Sequence, residues 1–148
     1  MHGLRTNILA GLASLLFVAT FAQQAVGQTY AQQVWDQLKV HYAAANLDDY
    51  YLENYILGKL SDDTSESWTF SMDASTDYVL TGACDNDCSD IDLLILNADG
   101  ETVEEDTEED DTPVVFFSPK KDGRYTVRVK MYACSDEPCY FGFGLFYK

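Results

Sequence analysis

From Tyr51 onward the chain alternates. Trp68, Phe70 and Met72 are separated by Thr69 and Ser71; Tyr125, Val127, Val129 and Met131 by Thr126, Arg128 and Lys130; Phe141, Phe143, Leu145 and Tyr147 are interleaved with Gly142 and Gly144. A period of two sends successive side chains to opposite faces, so each segment predicts a half-buried antiparallel strand. Ile91 to Leu96 and Val114 to Phe117 are nearly continuous apolar runs, which predicts strands central to a packed pair of sheets. Turn chemistry separates the runs, in Asp73-Ala74-Ser75-Thr76-Asp77, Asn97-Ala98-Asp99-Gly100 and Pro119-Lys120-Lys121-Asp122-Gly123. With shorter strands near Leu52 to Leu57 and Glu101 to Glu105, the count reaches eight at regular spacing. The expected class is all-β, a jelly-roll-like or Greek-key antiparallel β-sandwich. Two cysteine-bounded loops follow the third and seventh strands, so strands that alternate in direction put both loops at one end.

Ahead of the strands the period lengthens. Val34, Trp35, Leu38, Tyr42 and Ala45 recur at helical spacing within Tyr30 to Ala45, with Asn46 placed to end the helix. The expectation is one amphipathic helix that covers a sheet edge or face; a docking helix for a partner is the alternative. Earlier still, Arg5 precedes an apolar run of 15 residues, Ile8 to Ala22, and Ala25-Val26-Gly27 offers small residues for cleavage before Gln28. That run falls short of the roughly 20 residues a membrane span requires, so it reads as an export signal, with cleavage after Ala22 the second choice. The domain plan is a signal peptide over 1–27, helix and linker over 28–50, and a β-sandwich over 51–148.

Charge narrows the partners. Removing the signal takes away Arg5 and no acid, leaving eight basic residues against 25 acidic ones. Nucleic acid and anionic bilayers would be repelled, and no Lys/Arg cluster opposes that. The expected location is secreted or periplasmic, where disulfides persist. All four cysteines follow the signal, as Cys84-x3-Cys88 and Cys134-x4-Cys139. Three connectivities exist; short loops between apparent strands favour Cys84 with Cys88 and Cys134 with Cys139. A four-cysteine zinc site is the rival, disfavoured by the compartment and by the acidic, hydrated loops between the thiols.

Asp85, Asp87, Asp90 and Asp92 place four carboxylates within eight residues, beginning inside the first cysteine loop. Crowded carboxylates repel one another unless a cation, backbone donors or solvent takes up their charge. A hard cation such as calcium prefers several oxygen ligands, and a loop closed by a disulfide loses less entropy on ordering around one. These four are the candidate metal residues, with Asp90 and Asp92 on one face if both lie in a strand. In the alternative, Asp90 and Asp92 cap loop amides and the others are solvated. A second acidic run, Glu104 to Asp111, holds seven acids in eight residues; it reads as a solvated, mobile hairpin loop that blocks edge pairing, or as a weak cation surface. Asn97 to Gly100 lacks the EF-hand pattern and reads as a hairpin turn.

Taken in order, Gly58-Lys59-Leu60, Trp68-Thr69-Phe70-Ser71-Met72, Tyr78-Val79-Leu80-Thr81-Gly82, Asp90-Ile91-Asp92-Leu93, Asn97-Ala98-Asp99-Gly100, Asp111-Thr112-Pro113 and Gly123-Arg124-Tyr125-Thr126-Val127 resemble the bacterial pre-peptidase C-terminal (PPC) domain and its stand-alone secreted relatives. The resemblance covers roughly residues 52 to 148. It implies a β-sandwich appended to or secreted beside exported hydrolases, used for binding or maturation and sometimes calcium-dependent. No protease domain precedes the module in this sequence, so a stand-alone relative is expected.

Catalytic signatures do not emerge from the sequence. Past the signal His41 is the single histidine, on the predicted helix, and it reads as a packing residue. No Gly-x-Ser-x-Gly elbow, His-Glu-x-x-His, phosphate-cradling glycine loop or dinucleotide fingerprint is present. Tyr140, Phe146, Trp35 and Tyr132 form a candidate aromatic platform for sugars or peptides, although strand aromatics more often fill a core. Gly142 and Gly144 predict shallow grooves that receive a ring or the helix. The expected function is an exported, non-catalytic binding or accessory module, calcium-responsive, with a protein or polysaccharide ligand. A structural or interaction protein of the envelope is the alternative, and a hydrolase using carboxylates the third reading.

Overall fold

The alternating segments become eight strands: β1 (Tyr51–Leu60), β2 (Thr64–Met72), β3 (Tyr78–Cys84), β4 (Cys88–Leu96), β5 (Thr102–Asp106), β6 (Val114–Phe117), β7 (Gly123–Cys134) and β8 (Cys139–Tyr147). The computed structural model describes residues 29–46 and 48–148; the export signal expected over 1–27 lies outside them. One sheet runs β1-β8-β3-β6 and the other β2-β7-β4-β5, all antiparallel. First pairs with last, second with seventh, third with sixth and fourth with fifth. That is a long hairpin folded over on itself, the jelly-roll arrangement.

The inward halves of the alternating strands fill the space between the sheets. Val127, Val129 and Met131 of β7 face Phe141, Phe143 and Leu145 of β8 in one buried cluster. Trp68 of β2 caps it, its ring centroid 5.9 Å from Phe141 and 5.5 Å from Phe143. Each large apolar side chain removed from water contributes about 1.5–3 kcal/mol before entropy is counted.

Two runs of similar composition take different places. β4 is interior to its sheet, as expected. β6 is not: it is an edge strand, with Phe116 66% exposed and only Val115 and Phe117 turned inward. Pro113 and Pro119 bracket it, and proline suits a strand with no partner on one side. The strand buried along its whole length is β3, at the centre of the first sheet.

β3 is covered on its second face by helix α1, residues 29–46. Val34 and Leu38 pack on Ala83, with Trp35 and Tyr140 at the margin. Glycine lets the helix approach: a methyl at Gly142 would lie 2.8 Å from Leu38 Cδ1 and 3.0 Å from the Ile56 carbonyl. The ring of Phe146 folds over Gly144 in the same way, 2.6 Å from a built Cβ. Two buried polar atoms on these elements, His41 Nδ1 and Thr81 Oγ1, have no hydrogen-bond partner.

The topology sorts the turns. Connections from an odd to an even strand (61–63, 85–87, 107–113 and 135–138) share one end of the sandwich. They hold ten acidic residues and no Lys or Arg. The other end carries Lys120, Lys121 and Arg124 around the β6–β7 turn.

Candidate functional site

The acidic end is built on two bridges, Cys84–Cys88 and Cys134–Cys139, which leave no free thiol for zinc. Cys88 and Cys134 are partners in the β4–β7 register, so the loops lie side by side. Ser135 donates its amide and its hydroxyl to the Asp87 carbonyl at 2.7 and 2.8 Å. The β1–β2 turn joins them: Asp62 Oδ1 accepts from Cys134 N at 2.8 Å, and Asp63, in the left-handed region at φ 54°, accepts from Lys130 Nζ.

The four candidate aspartates divide into two pairs. Asp85 is 2% exposed; its Oδ2 accepts from Tyr140 N at 2.8 Å and its Oδ1 from Asp87 N at 3.3 Å. Burial raises its pKa against the pull of those donors. This carboxylate builds the loop. Asp87 faces the helix, where Tyr30 donates its hydroxyl to it and has its own pKa raised as a result.

Asp90 and Asp92 stand in β4, 8% and 9% exposed. Register shifts on both sides of Asp90 mark a bulge, and the two side chains line one cleft with Thr107, Glu109 and Tyr132. Asp90 Oδ1 is buried and receives no hydrogen bond. Burial, then Glu109 and Asp110, raise the Asp90 pKa. Burial, then Asp90, raise that of Asp92, while Lys130 opposite pulls it down. Among the described residues no three His, Cys, Asp or Glu side chains converge closely enough to hold one metal ion.

The second acidic run is not a hairpin. Glu104 to Asp106 belong to edge strand β5, and the remainder crosses from one sheet to the other. Its backbone is stitched down: Asp110 O accepts from Ile91 N at 3.0 Å and Pro113 O from Gly82 N at 2.8 Å. Asp106 and Asp110 cap the amides of Val114 and Thr112. This crossing brings Glu109 to the cleft, a residue that sequence reasoning had left in solvent. Asn97 does form the expected turn, its Oδ1 accepting from Asp99 N and Glu101 N, with Gly100 at φ 81°.

The four candidate aromatics do not make one platform. Tyr140 stacks on Tyr30 at 6.2 Å, Trp35 meets Tyr55 at 5.3 Å, and Phe146 lies beneath Tyr42, all around the helix. Tyr132 sits on the opposite sheet under Lys130 Nζ, 5.1 Å from the ring centre. An apolar groove of about 290 Å³ between α1 and β1 is lined by Trp35, Tyr42, Leu52, Tyr55 and Phe146 together with Gly144, where the sequence predicts a shallow groove. The outward positions of Leu52 and Tyr55 were a further sequence signal.

Fold and site together define a disulfide-braced jelly-roll module with an acidic end. Among solved structures it is similar to the pre-peptidase C-terminal domain of a collagenase from Bacillus anthracis, at 12% identity and a TM-score of 0.50, over 64% of this chain and 89% of that domain. The likeness establishes a PPC-like fold, in agreement with the motif order along the sequence. No protein-family profile matches the chain, and no curated protein matches it in sequence.

Proposed function

We propose that this chain is an exported accessory binding module that presents its acidic end to a protein or polysaccharide partner and does not itself catalyse a reaction. The observation that carries the reading is the four odd-to-even turns, with ten acids and no Lys or Arg, held on a disulfide-braced base. The bridges favour an oxidising compartment. A single-sign patch concentrates and orients an oppositely charged partner. The likeness to the pre-peptidase C-terminal domain of a collagenase supports an accessory role.

Calcium enters as a loosely associated modulator that screens this end as a whole, Asp87, Asp90, Asp92 and the neighbouring turns, without one coordinated site, because Asp85 is committed to backbone amides and no three carboxylates converge among the described residues. The test is binding of the mature protein to immobilised polysaccharides and to proteins of its own secretome, with melting curves in calcium and in sodium at matched ionic strength. Saturable, salt-sensitive binding lost on neutralising the turn acids supports the reading. Absence of any saturable ligand, or turnover of a substrate, sinks it.

A further inference from the structure

We propose that the cleft holding Asp90, Asp92 and Glu109 receives one basic side chain, an arginine or lysine, of a polypeptide partner. The inference rests on the reading of the acidic end as a binding surface and names what that surface recognises.

The first ground is an unpartnered carboxylate. Asp90 is 92% buried by its 8% exposure, its Oδ1 receives no hydrogen bond, and it lines the cleft. An ionised oxygen held out of water without a donor is destabilising, and a ligand that brings N–H groups relieves it. The second ground is that no cation of the protein acts on Asp90. The register partner of Asp90 is Ala133, and the charges that act on it are Glu109 and Asp110. Lys130 lies opposite Asp92, but its Nζ is held by Asp63 and sits over Tyr132. Glu105 and Asp106 of β5 add further negative charge beside Asp92.

The third ground selects the kind of cation. Two residues apart on an extended strand, the two aspartate Cα atoms lie about 7 Å apart. Calcium requires six to eight oxygens at about 2.3–2.6 Å, and no three carboxylates converge among the described residues. A guanidinium presents five donors in a planar fork, and an ammonium three; either spans separated carboxylates where a bare ion does not. The exposed ring of Tyr132 at the cleft wall suits the flat or methylene part of such a side chain.

The experiment titrates the full mature protein with an acetylated, amidated pentapeptide of glycines around one arginine, and with the same peptide carrying neutral citrulline. The expected result is saturable one-to-one binding of the arginine peptide only. Asp90→Asn weakens it about tenfold or more, and Glu109→Gln, at an exposed side chain, weakens it severalfold. Asp136→Asn, elsewhere at the same end, changes it by less than about twofold. Equal binding of the citrulline peptide, or equal losses for Asp90→Asn and Asp136→Asn, overturns the proposal. So does stoichiometric calcium binding abolished by Asp90→Asn. If the arginine peptide fails while another ligand still binds the acidic end, this inference falls and the accessory reading stands; if nothing binds that end, both fall.

Discussion

Ser135 gives both of its donors to one acceptor, the carbonyl of Asp87, and so ties the second cysteine loop to the first. Neither loop is therefore independent. Replacing Cys134 and Cys139 together by alanine is expected to cost about 2 kcal/mol, the chain-entropy value for so short a loop, which corresponds to a melting-temperature loss of roughly 5–10 °C. Amide exchange should quicken at Asp87 and Cys88 as well as in the cut loop. Protection unchanged in the first loop refutes the coupling, and titratable thiols in the native protein refute the bridges.

Asp85 tests whether the loop carboxylate is structural. Asp85→Ala leaves the Tyr140 amide without its acceptor, and is expected to cost about 1–3 kcal/mol. Asp85→Asn retains one acceptor oxygen and removes a charge that burial disfavours, so it should melt above the alanine variant at neutral pH. Equal melting of the two variants defeats the assignment.

At Gly142, a methyl group meets both the helix and the β1 backbone. Gly142→Ala is expected to displace α1 while the sandwich stays folded, giving a red shift and weaker quenching of Trp35 with Trp68 in the core unaltered. Overpacking of this kind costs about 1–3 kcal/mol. Deleting residues 28–46 should lower stability further and reduce solubility. Full stability and solubility after the deletion would assign the helix to a partner instead.

The buried acids set a pH dependence of definite sign. Asp85, Asp90 and Asp92 all have raised native pKa values, with burial the largest cause in each. The native state then binds more protons than the unfolded chain, so stability rises as pH falls from neutral toward the unfolded carboxylate range of about 4. Asp90→Asn should raise the melting temperature at pH 7 and flatten this rise. A melting temperature that falls on acidification in a variant lacking His41 contradicts the argument.

His41 acts in the opposite direction. Burial lowers its pKa, and Nδ1 has no partner in the native state. The unfolded chain takes up the proton first, so this contribution to stability is present above about pH 6.5 and is lost as pH drops below it. His41→Leu should therefore melt higher than the parent at pH 5 by more than at pH 7.5. Identical pH profiles for the two proteins exclude a role for His41.

How far the sequence reached is clearest at three places. β7 and β8 were legible because small or polar residues mark every second position. β6 was not, because Val114 to Phe117 is apolar throughout, so the alternation that turns Val115 and Phe117 inward and Phe116 outward is invisible until a neighbouring strand is absent. The Asp-x-Asp of β4 announced two carboxylates on one face. Its third contributor, Glu109, arrives from a crossing whose path is fixed by backbone bonds to Ile91 and Gly82, which no spacing encodes. The separation of Asp85 from Asp90 likewise depends on the Tyr140 amide, 55 residues away.

The sorting of turns to opposite ends gives the fold an unusual freedom to change. Four stretches far apart in the chain, at 61–63, 85–87, 107–113 and 135–138, act as one patch although no strand between them contributes a core residue to it. Apart from the buried Asp85 and Pro113, substitutions in them leave the interior packed, since the side chains that fill it lie on the inward faces of the strands. Such a scaffold can keep its core while the surface of its acidic end is rewritten by drift in the turns alone.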